Sequence, residues 1–188
     1  MGVVAALLVT IGIVLWSRPH TFAGTPVDPP SPAPDLSSLA LHTGEIADLE
    51  RFEGSVILLS FAYTHCPDVC PRALTLLAGT MDELDDRAAD VDVMVVGIDP
   101  ERDGPRDLGR YVTSFDPRFL GAVGTEAEVR SVAEDFGVLV RRIPIEGGYV
   151  FEQSATIAVI GPSGDLRLFV GLDVAPEALA DDVRELLP

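Results

Sequence analysis

The sequence predicts an α/β domain in which strands and helices alternate and then give way to an antiparallel hairpin and a last helix. Three observations carry this prediction. Residues 56–62 form a mainly apolar run without strict alternation, and residues 91–98, centred on Val93-Met94-Val95-Val96, form another, as strands buried on both faces do. Between and after these runs, near residues 71–88, 105–114, 125–136 and 175–187, the pattern is helical. The only two cysteines, Cys66 and Cys70, fall in a CxxxC at the first strand-to-helix junction. Together these features describe a thioredoxin-like domain: a central mixed sheet flanked by helices, with an N-terminal hairpin and insertions.

The chain of 188 residues suits one domain plus an appendage. Its net charge of −17 argues against nucleic acid or an anionic membrane surface as partner, because both need clustered Lys or Arg. The acidity reads as a solvated face. There is no Lys and no Asn, and Gln153 is the single Gln. Two cysteines are too few for a disulfide scaffold, and the scattered His20, His42 and His65 do not complete a tetrahedral zinc site. A paired site remains.

Residues 2–16 carry no charge and are followed by Ser17 and Arg18. Fifteen residues match a signal core in length, since a span needs about 20. No Lys or Arg precedes the run, however, which favours an uncleaved membrane anchor over residues 1–17. Thr21-Phe22-Ala23 keeps signal cleavage open, and either route puts the domain on the extracytoplasmic side. Residues 18–35 read as a tether, with Pro26, Pro29, Pro30, Pro32 and Pro34 favouring extended polyproline conformation.

The globular part is expected over residues 36–188. Leu39, Leu41 and Ile46 flank a turn at His42-Thr43-Gly44-Glu45 that joins two short strands, with His42 as an exposed turn residue. After the strand at 56–62, the helix over 71–88 has Pro71 at a first position and buries Leu74, Leu77, Met81 and Leu84, leaving Asp82, Glu83, Asp85 and Asp86 to solvent. Met94, in the second strand, is core. Asp103 is placed to cap the helix over 105–114. Asp99 stands at the carboxyl end of its strand, the edge of an open α/β sheet where ligands gather.

Residues 119–124 form a short strand, and Thr125 with Glu128 makes a capping box for the helix that follows. Residues 138–145 read as an edge strand and Gly147-Gly148 as a turn. Residues 149–154 lead into a strand over 155–160, which Gly161-Pro162-Ser163-Gly164 turns back into residues 166–170. Leu179, Val183 and Leu186 face inward on the closing helix.

The chemistry centres on Cys66 and Cys70. At a helix start, unpaired N–H groups and the helix dipole favour a thiolate. Thiolates also hold Cu(I). Metal capture and thiol/disulfide exchange both follow.

Two motifs, Tyr63-Thr64-His65-Cys66-Pro67-Asp68-Val69-Cys70-Pro71 and Asp99-Pro100-Glu101-Arg102-Asp103, make the sequence resemble the Sco/SenC family of copper-binding assembly proteins. The resemblance runs in order from about Leu36 to the C-terminus, through Tyr111, Gly124, Tyr149 and Gly161-Pro162-Ser163-Gly164. It implies a thioredoxin-like domain tethered outside a membrane that binds copper through two cysteines and a histidine. It also implies a role in assembling the copper site of cytochrome c oxidase subunit II, by copper delivery or thiol maintenance; other copper-assembly proteins are alternative partners.

The family carries Asp-His just before the strand expected at 155–160, whereas this chain reads Glu152-Gln153. Gln153 stands at the histidine position as a weak oxygen donor, so Cu(I) on the two thiolates is favoured and Cu(II) is doubtful unless Glu152 or His65 substitutes. His65, Asp68, Asp99, Asp103 and Glu152 are the supporting residues.

Three functions follow from the resemblance and from these residues. The first is a metallochaperone that holds Cu(I) at Cys66 and Cys70. The second is a thiol:disulfide oxidoreductase in which Cys66 attacks and Cys70 resolves. The third is a copper-free module that binds an assembly partner.

Overall fold

A computed structural model describes residues 20–188. The expected anchor, residues 1–17, lies outside the described residues; among those described, no helix is long and apolar enough to cross a membrane.

A seven-stranded mixed sheet runs in the order β1-β9-β8-β3-β4-β5-β2. Its centre is β3, Val56–Ala62, in which every residue is buried. It pairs in parallel with β4, Val91–Gly97, and antiparallel with β8, Thr156–Ile160. β-Branched and leucine side chains fill both faces of these strands, which is why they read as continuous apolar runs. β5, Leu120–Val123, extends the parallel part, and β9, Asp165–Gly171, extends the antiparallel part.

Helix α1, Val69–Glu83, begins two residues earlier than its proline suggests, and it ends where Asp85 takes a positive φ of 51°. A 3-10 segment, Asp85–Asp90, then replaces the last turn expected for the helix. The predicted stripe is buried: Leu74, Leu77, Met81 and Leu84. α2, Pro105–Thr113, packs on β5. α3, Glu126–Asp135, carries the full capping box of Thr125 and Glu128. α4, Pro176–Leu186, packs against α1 and buries Leu179, Val183 and Leu186.

Four features differ from the sequence expectation. First, the proline-rich stretch includes β1, Thr25–Pro32, which pairs antiparallel with β9 and so lies against the sheet. Proline is tolerated there because β1 is an edge strand, with irregular register between Pro26 and Ser31. The segment before it is also held: buried Asp182 accepts from Ala23 N (3.1 Å) and Gly24 N (2.9 Å) and lies 2.9 Å from His20 Nε2.

Second, the N-terminal hairpin is reduced to one bridge between Ala40 and Ile46. β2, Ala40–Leu41, pairs instead with β5. Third, His42 is half-buried rather than an exposed turn residue, and its Nδ1 accepts from Gly121 N at 3.0 Å. Its ring fills the space where Gly109 has no side chain; a Cβ there would meet it at 2.6 Å.

Fourth, the region expected as an edge strand and its lead-in forms a separate two-stranded sheet, β6 (Val140–Ile145) with β7 (Gly148–Gln153). This hairpin ends at Gln153, beside the cysteine loop.

Candidate metal and thiol site

The cysteines lie just beyond the carboxyl end of β3. Cys70 is the second residue of α1 and is buried, whereas Cys66, in the loop before the helix, is half-buried. They are joined as a disulfide with a Cα–Cα separation of 5.8 Å, within the range such a bond spans. Cys70 N donates to Cys66 Sγ at 3.2 Å, one of the helix-start N–H groups that has no partner within the helix. Asp68 is the N-cap residue but makes no side-chain cap; it is exposed and lies 3.9 Å from Arg72.

The loop is fixed from the acidic motif. Asp103 does not cap α2, whose N-cap is Gly104 with no side-chain bond. Its buried carboxylate turns instead to Thr64, accepting from the backbone N at 2.7 Å and from Oγ1 at 2.5 Å. Local capping loses because those two donors lie together across the sheet edge, and burying a carboxylate demands donors of this kind. Thr64 Oγ1 also lies 2.9 Å from His65 Nδ1. His65 is exposed, and its ring is engaged with Thr64 and Asp103 (3.8 Å).

The hairpin is fixed from the same edge. Tyr63, fully buried, accepts from Phe151 N at 3.2 Å through its hydroxyl and donates to Phe151 O at 3.4 Å. That one group serves both polar backbone groups of a β7 residue that the main sheet does not reach.

Tyr149 is held from both faces. Arg102 and Arg142 place their guanidinium carbons 3.8 and 3.5 Å from its ring centroid, distances at which two such groups must lie on opposite faces. Its hydroxyl lies 2.8 Å from Asp99 and 2.9 Å from Glu101. Loss of solvent, then hydrogen bonding to those two carboxylates, pushes the Tyr149 hydroxyl up to about 12. Asp99, buried, also pairs with Arg102. The Arg142 guanidinium, followed by the Tyr149 hydroxyl, holds the Glu101 carboxyl below the usual carboxylate range.

Gln153 lies at the sulfur pair, but it turns its nitrogen to the sulfur rather than its oxygen. Nε2 donates to Cys70 Sγ at 3.3 Å and to Phe61 O at 3.1 Å, while Oε1 is buried without a partner. Glu152, the adjacent residue on β7, points to the other side of the strand and pairs with Arg141 in solvent. Glu152 and His65 are thus both engaged with other partners in this disulfide-bonded arrangement. Among the described residues, no group of three His, Cys, Asp or Glu side chains is gathered to hold a metal ion.

Sequence reasoning places Asp99 and Asp103 near the cysteines but misses what they hold. Thr64, Glu101 and Arg102 all fall inside the two motifs, and that common membership was the signal that could have found them.

A mixed sheet with flanking helices and a cysteine pair at the first strand-to-helix junction defines a thioredoxin-like thiol domain. The SCO1/SenC family model matches residues 37–188. The chain belongs to the SCO1/SenC family.

The human Protein SCO1 homolog, mitochondrial, is 34% identical over 138 residues, which is 71% of this chain and 46% of that protein, so the chain spans about half the length of this relative. The solution structure of apo Sco1 from Thermus thermophilus matches with a TM-score of 0.79 at 35% identity, covering 89% of this chain and 98% of that one. Bradyrhizobium japonicum ScoI with copper bound matches with a TM-score of 0.74 at 29% identity, covering 87% and 99%.

Proposed function

We propose that this protein is a membrane-tethered copper metallochaperone that carries Cu(I) on Cys66 and Cys70 and serves assembly of the cytochrome c oxidase subunit II copper site. Residues 1–17 anchor it, and the domain works on the extracytoplasmic side. The observation that carries this reading is the sulfur pair itself, in which each sulfur receives an N–H donor: Cys70 N on Cys66 and Gln153 Nε2 on Cys70. Copper-bound Bradyrhizobium japonicum ScoI, at 29% identity, supports copper as the metal.

The donor set fits Cu(I) and not Cu(II). Two thiolates are soft ligands that hold Cu(I), whereas Cu(II) needs the imidazole that Gln153 replaces. The disulfide has to be opened first. A dithiol reductant gives up two electrons and two protons to break the S–S bond into two thiols, becoming a disulfide itself, and the two thiols then release two protons as they take one Cu(I). The N–H donors offset the negative charge left on the sulfurs, and the Asp103–Thr64 bonds keep the loop in place while the S–S bond is absent.

A second reading, thiol:disulfide exchange, is supported by the disulfide and by the greater exposure of Cys66. In that reading Cys66 takes the attacking role and Cys70 resolves.

The test is an anaerobic Cu(I) titration of the reduced full chain in detergent against a chromophoric chelator, with Cys66→Ala as control. One tightly held Cu(I), lost in the variant, is the expected result. Failure to compete with the chelator would remove the metallochaperone reading and leave thiol exchange.

A further inference from the structure

We infer that Gln153 is a specificity-determining hydrogen-bond donor to Cys70 that biases the Cys66–Cys70 pair toward its reduced, Cu(I)-competent state. This inference rests on the reading that Cys66 and Cys70 are the working pair, and it gives Gln153 the role of tuning their redox equilibrium rather than binding metal.

The argument begins with the amide's orientation. An amide nitrogen has two N–H groups and no available lone pair, so Nε2 between Phe61 O and Cys70 Sγ donates one proton to each. Turning the amide over would set Oε1 against the Phe61 carbonyl, acceptor against acceptor. This orientation leaves Oε1 buried without a partner, so the Phe61 carbonyl is the contact that sets it.

Phe61 O is open to Gln153 because the register of β3 with β8 runs only from Ile57 to Leu59. Just beyond that point, the end of β7 brings the side chain of Gln153 across β3 to the start of α1. The Phe61 bond then acts as the aiming contact and fixes which amide atom meets the sulfur.

The consequence lies in the difference between the two states of the sulfur. A disulfide sulfur is a weak acceptor, whereas a reduced sulfur carries more negative charge and accepts more strongly. An N–H already aimed at Cys70 therefore stabilises the reduced pair more than the disulfide. In the exchange, two thiols of a small-molecule couple give up two electrons and two protons and become its disulfide, while the Cys66–Cys70 bond breaks into two thiols. The same N–H offers no lone pair to a metal, so a residue that favours reduction also withholds a third ligand from Cu(II).

The experiment is a thiol/disulfide equilibrium of the full chain in detergent with glutathione buffers and no copper present. It compares wild type with Gln153→Leu, which removes the donor, and Gln153→Glu, which replaces the donor with an acceptor of the same shape. Loss of the donor is expected to shift the equilibrium constant about ten-fold toward the disulfide in Gln153→Leu, about 30 mV. The Gln153→Glu shift is expected to be larger in the same direction.

A packing role alone would lower the urea midpoint of the variants and leave the equilibrium within two-fold of wild type; that result overturns the inference. So does a Gln153→Glu protein that reduces as readily as wild type, and that isosteric variant decides the matter if Gln153→Leu does not fold. Because copper is absent throughout, a protein that fails the Cu(I) titration yet shows the shift loses the metallochaperone reading and keeps this one.

Discussion

Removing the Asp103 carboxylate tests whether the acidic motif holds the cysteine loop. Its two hydrogen bonds go to Thr64, at 2.7 Å from the backbone N and 2.5 Å from Oγ1. The two donors differ in what they lose. Thr64 Oγ1 retains His65 Nδ1 at 2.9 Å as a partner, but Thr64 N has only the carboxylate. In Asp103→Ala the orphaned N–H therefore dominates, at about 1–3 kcal/mol, and the freed volume adds to it. Loss of a buried charge offsets part of this, so the expected cost is about 2 kcal/mol. In Asp103→Asn the side-chain oxygen still accepts from Thr64 N, and its NH2 donates to Thr64 Oγ1, whose own proton turns to His65. Only the charge assistance is lost, about 1 kcal/mol. Urea unfolding of the disulfide-bonded protein reads both values. The rate at which dithiothreitol opens the disulfide should rise in the same order, because the loop is less firmly held. An alanine variant within about 0.5 kcal/mol of wild type, or an asparagine variant that costs more than alanine, would show that these bonds do not secure the loop.

Two further outcomes are expected. Gln153→His should give a coloured thiolate-to-Cu(II) complex, read by visible absorption, in a protein that otherwise lacks one; no colour would mean that the β7 end does not bring an imidazole to the sulfurs. Asp92 is half-buried, and burial raises its carboxyl above the ordinary range, partly offset by a hydrogen bond from Ser55. A raised folded-state value means that stability is lost as pH rises through it, so Asp92→Asn should be more stable than wild type in urea at pH 7, with the advantage disappearing below the carboxylate range. An equal difference at both pH values would refute the burial cause.

The sequence made legible the parts of the fold whose determinants are local. The apolar runs of β3 and β4 and the Thr125–Glu128 box of α3 each draw their signal from a few adjacent residues, and each lies where the pattern put it. What escaped were contacts made across long separations. Asp103 obeys the capping rule in sequence, but in space it finds Thr64, 39 residues earlier, with two donors. His42 has the neighbours of a turn residue, yet its ring is taken up by Gly121, 79 residues later. β1 hid behind its prolines, which weaken a strand in the middle of a sheet but not one on an edge. At the site, Cys66 and Cys70 could be picked out as the only cysteines in the chain, while the direction of the Gln153 amide could not, because it depends on which carbonyl of β3 is left free.

The division between the main sheet and the β6–β7 hairpin has a consequence for how such a site diversifies. Cys66 sits in the loop that leaves β3 and Cys70 is buried at the start of α1, so both depend on the central strand and the helix packed on it, where changes disturb the core. Position 153 rides on a hairpin outside that sheet, joined to it through two tyrosines: Tyr63 bonds the backbone of Phe151, and Tyr149 lies between Arg102 and Arg142. Neither clamp involves the side chain of residue 153. A substitution there changes what faces Cys70 and gives up the bond to Phe61 O, but it leaves intact the clamps that hold the hairpin in place. An imidazole at that point adds a ligand, and an amide adds a proton donor. On the reading proposed above, that one side chain would decide whether the scaffold offers a third metal donor or a more readily reduced sulfur pair, with the loop at Asp103 and the clamp at Tyr149 unchanged.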